Sequence, residues 1–340
     1  MTASPLVRLL DEGRCVPVEE WAAFWARVED RSSDPGELVA VLTAASRVLP
    51  REETLVALVR SLAPVAAARP DPAVDIVGIG GGPATMNLST AAAFTAAAAG
   101  ASVLKSGSRA YTSSLGSTDL LGRLGVRADA DAEQVERYRQ RDGLAFPGRH
   151  AHPVQLVRLA RRIVPVGLRE FGALLNVIGP FLSRVPVTAV VVGRSDRAGE
   201  RTLRALAGAR PERAHWICSS AVGADELISV SPSRLVRPDG RVERIEPGAL
   251  VSGAGSLAEL RSVAPEAAAE HFVRALAGRL GTAVTETIAL NAAVVLLAAE
   301  VESELPAAID RARSSLESGA AASLLERLRS EAHEAVVLGA

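Results

Sequence analysis

The sequence predicts an α/β protein in two unequal parts. A small all-helical N-terminal domain covers residues 1–68, and a larger α/β domain with a mostly parallel central sheet covers 69–340. Two patterns carry this reading. Up to about residue 65 the apolar residues recur with the helical period and no strand pattern interrupts them. Beyond residue 69, short β-branched runs alternate with glycine-rich turns and alanine-rich helical stretches, the order expected of a parallel sheet with crossover helices. The composition fits: 340 residues, 48% hydrophobic and 23% charged with a formal net charge of -1, describe a globular chain able to bury a large core.

Taken in order, Pro17 opens a helix in which Trp21, Phe24, Trp25 and Val28 fall at i, i+3, i+4 and i+7. They make one apolar stripe that packs into a core or against a second subunit. Asp34 as N-cap, Pro35 at the first helical position and Glu37 three after the cap announce the next helix, which carries Leu38, Val41 and Leu42 inward. A further helix runs through Leu55, Leu58, Val59 and Leu62. Residues 66–72 read as a linker, rich in alanine and ending in Pro-Asp-Pro. Strands are predicted at 75–80, 101–105, 187–193 and 215–219, with a helix at 90–99, and helices dominate from 257 onward.

Charge and cysteine content exclude several classes. A near-neutral chain offers no broad basic surface for nucleic acid. Two cysteines, Cys15 and Cys218, are too few for a disulfide framework and point to a reducing, cytoplasmic setting. No secretory pattern opens the chain, and the apolar run at 292–299 is shorter than the roughly 18 residues that a membrane helix needs.

The chemistry concentrates after the first predicted strand. Gly78, Gly80, Gly81 and Gly82 lie within five residues, followed by Asn87, Ser89 and Thr90 at a helix start. Glycine lets backbone N–H groups approach oxygen atoms, so such a loop builds an anion pocket; the same loop also serves as a plain tight βα turn. Neither familiar nucleotide motif fits. The dinucleotide fingerprint needs glycine where Pro83 stands and an acid about 20 residues on, whereas the first acid is Asp119; the P-loop needs Gly before its lysine, whereas Leu104 precedes Lys105. Downstream, Lys105-Ser106-Gly107-Ser108-Arg109 ends the second strand, and Ser113, Ser117 and Asp119 follow, placing cations and hydroxyls at the sheet edge where ligands bind in open α/β folds. Lys105 is the only lysine among 38 basic residues, and a compact ammonium suits a phosphate site differently from a planar guanidinium. Asp225-Glu226 is either a solvated turn or a pair of hard oxygen ligands for Mg²⁺.

The ordered set Gly78-Ile79-Gly80-Gly81-Gly82, Asn87-Leu88-Ser89-Thr90, Lys105-x-Gly107-x-Arg109, Gly116-Ser117-x-Asp119, His152-Pro153, Asn176-x-x-Gly179-Pro180 and Asp225-Glu226 resembles the anthranilate phosphoribosyltransferase family over most of the chain. The resemblance implies a helical domain used for homodimerisation, joined by part of 153–178, and an α/β domain that binds 5-phosphoribosyl diphosphate with Mg²⁺. It implies donor contacts from Gly78, Gly80, Gly81, Gly82, Asn87, Ser89, Thr90, Lys105, Ser113 and Ser117. Metal ligands are implied at Ser89, Asp225 and Glu226, and acceptor contacts at Ser106, Gly107, Ser108, Arg109, His152, Arg169 and Asn176. Lys105 and His152 are the implied catalytic groups, although a histidine before Pro153 also suits a purely structural place at a helix start.

Three departures from the family pattern concern mainly the acceptor. Ser106 and Ser108 replace a histidine and an asparagine, and Gly167-Leu168 follow Pro165-Val166 where an arginine for the acceptor carboxylate is usual. Gly82-Pro83 replaces an Asp-Gly in a shortened donor loop, and Pro83 removes one N–H. The expectation is phosphoribosyl transfer to an aromatic or heteroaromatic nitrogen other than anthranilate, in specialised metabolism. The alternatives are true anthranilate transfer with contacts rebuilt from Arg169 or Arg149, and a non-catalytic relative that binds phosphorylated ligands or nucleic acid.

Overall fold

A computed structural model describes residues 5–47, 49–62, 72–107, 115–128, 131–164, 166–167 and 171–337. Ser108, Arg109, Ser113, Arg169 and most of the 66–72 linker lie outside the described residues. The chain begins with α1 (Pro5–Asp11), α2 (Val18–Glu29), α3 (Pro35–Arg47) and α4 (Glu52–Leu62). Trp21, Phe24, Trp25 and Val28 are all buried, as the stripe on α2 requires, and Phe24 meets Trp25 edge-on at 4.8 Å. Asp34 turns the chain into α3 by accepting a hydrogen bond from the Gly36 N–H at 2.8 Å. Two later helices, α8 (Val154–Arg162) and α9 (Gly172–Leu182), return to this layer, α8 packing on α2 and α9 on α4.

Among the described residues, seven strands form one sheet in the order β3-β2-β1-β4-β5-β6-β7. β1 (Val74–Val77), β2 (Val103–Leu104), β3 (Leu144–Ala145), β4 (Ala189–Gly193) and β5 (Ala214–Ser220) run parallel. β6 (Ser233–Val236) and β7 (Val242–Ile245) continue antiparallel from β5. Successive residues of a strand face opposite sides, and the two faces bury different cores. Val74, Ile76, Ala189 and Val191 pack with α5 (Leu88–Ala98), α12 (Thr282–Ala298), α13 (Leu305–Glu317) and α14 (Ala320–Val337). Val190, Val192 and Ile217 pack toward the N-terminal helices. α12 is buried nearly all round, which explains why it has no polar face. No helix among the described residues is long and apolar enough to cross a membrane.

The structure corrects the sequence reading in detail. The first strand ends at Val77, so 78–80 belong to the loop, and α5 starts two residues before position 90. β3, β6 and β7 were not predicted. β3 is only two residues long, and β7 reads Val-Glu-Arg-Ile with just one buried side chain, so neither carries a hydrophobic run that could be seen in isolation. The mostly parallel sheet stands, because five of its seven strands are parallel.

Candidate functional site

The carboxyl ends of β1, β2, β4 and β5 meet at one cleft of about 530 Å³. Each strand end delivers one component. After β1 the chain takes positive φ at Gly81 (99°) and Gly82 (72°), a conformation that side chains resist. A Cβ on Gly82 would also lie 2.2 Å from the Gly223 carbonyl oxygen, so the loop after β1 lies directly on the loop after β5. At the end of β2, Lys105 is buried and its Nζ donates to the Ile76 carbonyl oxygen at 2.8 Å. Burial pulls its pKa down, while the carboxylates of Asp75, Glu226 and Asp225 push it back up.

Asp225 is the keystone of the contact between these loops. Its Oδ2 accepts a hydrogen bond from the Gly80 N–H at 2.8 Å, across 145 residues of sequence. Gly78 must be glycine for this to happen, since a Cβ there would sit 2.1 Å from the same oxygen. Gly193, the last residue of β4, is equally constrained: its Cβ would lie 1.8 Å from the Asp225 carbonyl oxygen. Burial raises the pKa of Asp225, and it raises Glu226 well above the usual carboxylate range, with the neighbouring Asp225 charge adding to the rise. Glu226 is buried, and its Oε2 has no hydrogen-bond partner.

Two adjacent carboxyl groups, Glu226 buried with an orphaned oxygen and Asp225 half-buried beside it, are stable as anions only beside added positive charge. The residues present therefore fit a divalent cation. Among the described residues no third His, Cys, Asp or Glu joins them, a donor set that suits Mg²⁺ retaining water and shared substrate oxygens rather than a metal in an all-protein cage.

Most of the expected site residues line the cleft: Gly78, Gly80, Gly81, Gly82, Asn87, Ser89, Lys105, Ser106, Gly107, Ser117, Asn176, Asp225 and Glu226. Asn87 stands at the N-cap of α5 without a side-chain capping bond, and Ser89 lies in the first turn, so the positive end of that helix faces the cleft. Ser117 opens α6 (Ser117–Arg123), and its hydroxyl lies over Gly107, where a Cβ would come within 2.5 Å.

Two expected residues are placed elsewhere. Thr90 is fully buried in α5 and its hydroxyl has no partner, because the helical period turns it away from the cleft that Ser89 faces. His152 precedes Pro153 at the start of α8 and is not part of the cleft wall; burial lowers its pKa and keeps the imidazole neutral. Ser106 lines the cleft, but its hydroxyl and its N–H both donate to the buried carboxylate of Asp75, the latter at 2.9 Å. Arg149 lies in the single turn Gly148–Ala151, and its side chain is outside the described residues.

Several wall residues were missed from sequence. Arg197 enters four residues beyond β4, where the strand-end rule could have flagged it. Ser262, Val263, His271 and Phe272 come from the segment around α11 (Ala268–Leu276) and carry no local signal.

Known proteins agree with this geometry. The model for "Glycosyl transferase family, a/b domain" matches residues 70–322. The anthranilate phosphoribosyltransferase of Thermomicrobium roseum is 32% identical over 332 residues, covering 93% of both chains. That of Arthrobacter sp. (strain FB24) is 36% identical over 269 residues, covering 75% of this chain and 74% of its own. Among solved structures, the anthranilate phosphoribosyltransferase of Thermus thermophilus superposes with a TM-score of 0.79 at 28% identity, covering 97% of this chain and all of that one. The enzyme of Saccharomyces cerevisiae, solved with PRPP and Mg, shares the fold at a TM-score of 0.75 and 21% identity, covering 93% of this chain and 92% of its own. These relatives give no support to the expectation of a different acceptor. A strand-end cleft built from the glycine loop, Lys105 and the paired carboxylates, on a chain alike over nearly its whole length, places this protein in the anthranilate phosphoribosyltransferase family of pentosyltransferases.

Proposed function

We propose that the protein transfers the 5-phosphoribosyl group of 5-phosphoribosyl diphosphate to the amino nitrogen of anthranilate. The observation that carries the reading is the Asp225 carboxylate bonded to the Gly80 N–H, which locks the anion-binding loop to the acidic pair beside Lys105. In the reaction the acceptor nitrogen bonds to C1 of the ribose as the C1–O bond to diphosphate breaks. The bonding electrons leave with diphosphate, and the nitrogen proton passes to solvent.

The chain's own work is positioning and charge. Gly81 and Gly82 present N–H groups, the Gly80 N–H being held by Asp225, while Asn87, Ser89, Lys105 and Ser117 offer donors to phosphate oxygens from the cleft wall. Asp225 and Glu226, with Ser89, would hold Mg²⁺. When bound, the ion offsets charge that accumulates on the departing diphosphate. Asn176 of α9 and the Ser106-Gly107 turn line the same cleft and would meet the acceptor. His152 stands outside the cleft wall and, in this scheme, takes no part in proton transfer.

A second acceptor reading rests on one observation. Ser106 is committed to Asp75, so the position where the family pattern has a histidine brings no ring into the cleft, and an aromatic amine of another shape has room there. One assay separates the readings: protein, 5-phosphoribosyl diphosphate, Mg²⁺ and a panel of aromatic amines, with diphosphate release followed and products weighed by mass spectrometry. The expected result is turnover of anthranilate. Turnover of other amines alone establishes the second reading, and no release together with no calorimetric binding of the donor defeats the transferase assignment.

The same proposal includes a boundary near residue 68, with part of 153–178 joining the helical domain, and a homodimer through that domain. The α2–α8 and α4–α9 packing supports the first. The apolar side chains of Val154, which opens α8, and Val164, two residues past its end, 41% and 71% exposed, support the second. Sedimentation equilibrium is expected to give twice the chain mass; a monomer at micromolar concentration removes the dimer.

A further inference from the structure

We infer that Arg197 is a binding residue for the diphosphate of the donor, one that compensates for the N–H donor missing at Pro83. The inference rests on the transferase reading and names a residue outside the motifs that suggested it. Arg197 lies in the segment that leaves β4, and a chain of contacts sets its place. The Arg194 N–H donates to the Cys218 carbonyl oxygen at 2.7 Å, tying the start of the segment to β5. The buried Ser195 hydroxyl donates to the Gly80 carbonyl oxygen, and the Arg197 N–H donates back to that hydroxyl at 3.4 Å. The segment is thus fastened to Gly80 through its carbonyl oxygen, as Asp225 is through its N–H.

The side chain then lies flat on Gly81. A Cβ there would fall 2.8 Å from Arg197 Nε and 3.0 Å from its Cγ, so absence of a side chain at position 81 serves the arginine as well as the backbone. Arg197 belongs to the wall of the cleft, its Nε is buried without a hydrogen-bond partner, and among the described residues its guanidinium joins no ion pair within bonding distance. Its charge is felt by Asp225, whose pKa it lowers. A buried N–H donor without a partner is costly, and a planar guanidinium fork is matched in shape to phosphate oxygens.

The chemistry of the loop supplies the reason. Pro83 has no N–H, so a diphosphate resting on residues 80–83 meets one backbone donor fewer. Arg197 reaches the same loop with up to five N–H donors and a full positive charge. Such a cation acts on the leaving group, where negative charge grows as the C1–O bond breaks, and has no reason to touch the acceptor.

The test uses the wild-type chain, Arg197→Gln and Arg197→Lys, each first shown to retain its melting temperature and circular dichroism. Inorganic diphosphate with Mg²⁺ is titrated calorimetrically, and donor and acceptor KM are measured separately. For Arg197→Gln the expected result is diphosphate binding weakened by about 10- to 100-fold and a donor KM raised in parallel, with the acceptor KM within about twofold of wild type. Arg197→Lys is expected to recover part of the loss, because it restores charge without the fork. Wild-type diphosphate affinity in Arg197→Gln, or a change confined to the acceptor KM, overturns the inference. A wild type that binds neither donor nor diphosphate defeats the transferase reading itself, a different outcome from a binding-competent wild type with an indifferent variant.

Discussion

The protein carrying both Asp225→Asn and Glu226→Gln is expected to lose Mg²⁺-dependent turnover by about a thousandfold or more, roughly 4 kcal/mol of barrier, and to remain folded. The two changes keep size and hydrogen-bonding shape. The asparagine carbonyl still accepts from the Gly80 N–H, so the contact between the loops survives. What disappears is charge. Burial raises both carboxyl groups toward protonation and the Asp225 charge raises Glu226 further, so in the absence of metal the two anions strain the cleft. The metal-free variant should therefore melt at or above the wild-type temperature, and added Mg²⁺ should raise only the wild type. The wild-type response should itself shrink as pH falls, because protons compete with the metal for carboxyl groups whose pKa is already high. Unchanged turnover in the double variant removes the metal role from this pair.

Gly193→Ala is the second large effect. Its Cβ would meet backbone, the Asp225 carbonyl oxygen at 1.8 Å and carbonyl carbon at 2.7 Å, and no rotamer change relieves that overlap. The Asp225 segment must move away from β4. Displacement on the scale of an ångström costs about a hundredfold in rate where charge must be placed accurately, and overpacking of this kind costs about 1–3 kcal/mol of stability. Gly78→Ala is the control, because its Cβ would strike only the Asp225 carboxylate, the movable end of a side chain. It should lower Mg²⁺ affinity and turnover while leaving the melting temperature nearly unchanged. If Gly193→Ala retains wild-type kcat and stability, the close contact between β4 and Asp225 is not what positions the acid.

Much of the cleft wall was legible in sequence, because its parts are short and chemically distinctive. Glycines with positive φ, a serine at a helix start and a lone lysine at a strand end announce themselves within a few residues. The helical stripe of Trp21, Phe24, Trp25 and Val28 was legible for the same reason, since a 3.6-residue period needs no knowledge of the partner. Thr90 shows the limit of motif reading: one position past Ser89, the helical period sends its hydroxyl into the core. Ser106 shows another, since its commitment to Asp75 depends on the pairing of β1 with β2 and on nothing in its own neighbourhood.

The sequence by itself determined the N-terminal helices, four strands of the parallel sheet, the glycine loop after β1, and the family. All of these rest on local periodicity and on motifs that stay recognisable in one dimension. Only the tertiary structure decided which groups share the cleft: Asp225 with Gly80, Arg197 against Gly81, and the wall that α11 contributes. It also decided the three strands that no apolar run foretold. The physical reason is common to both. Sheet pairing and burial join residues far apart in the chain, and they set the charge state and orientation of each side chain through neighbours that the sequence does not place beside it.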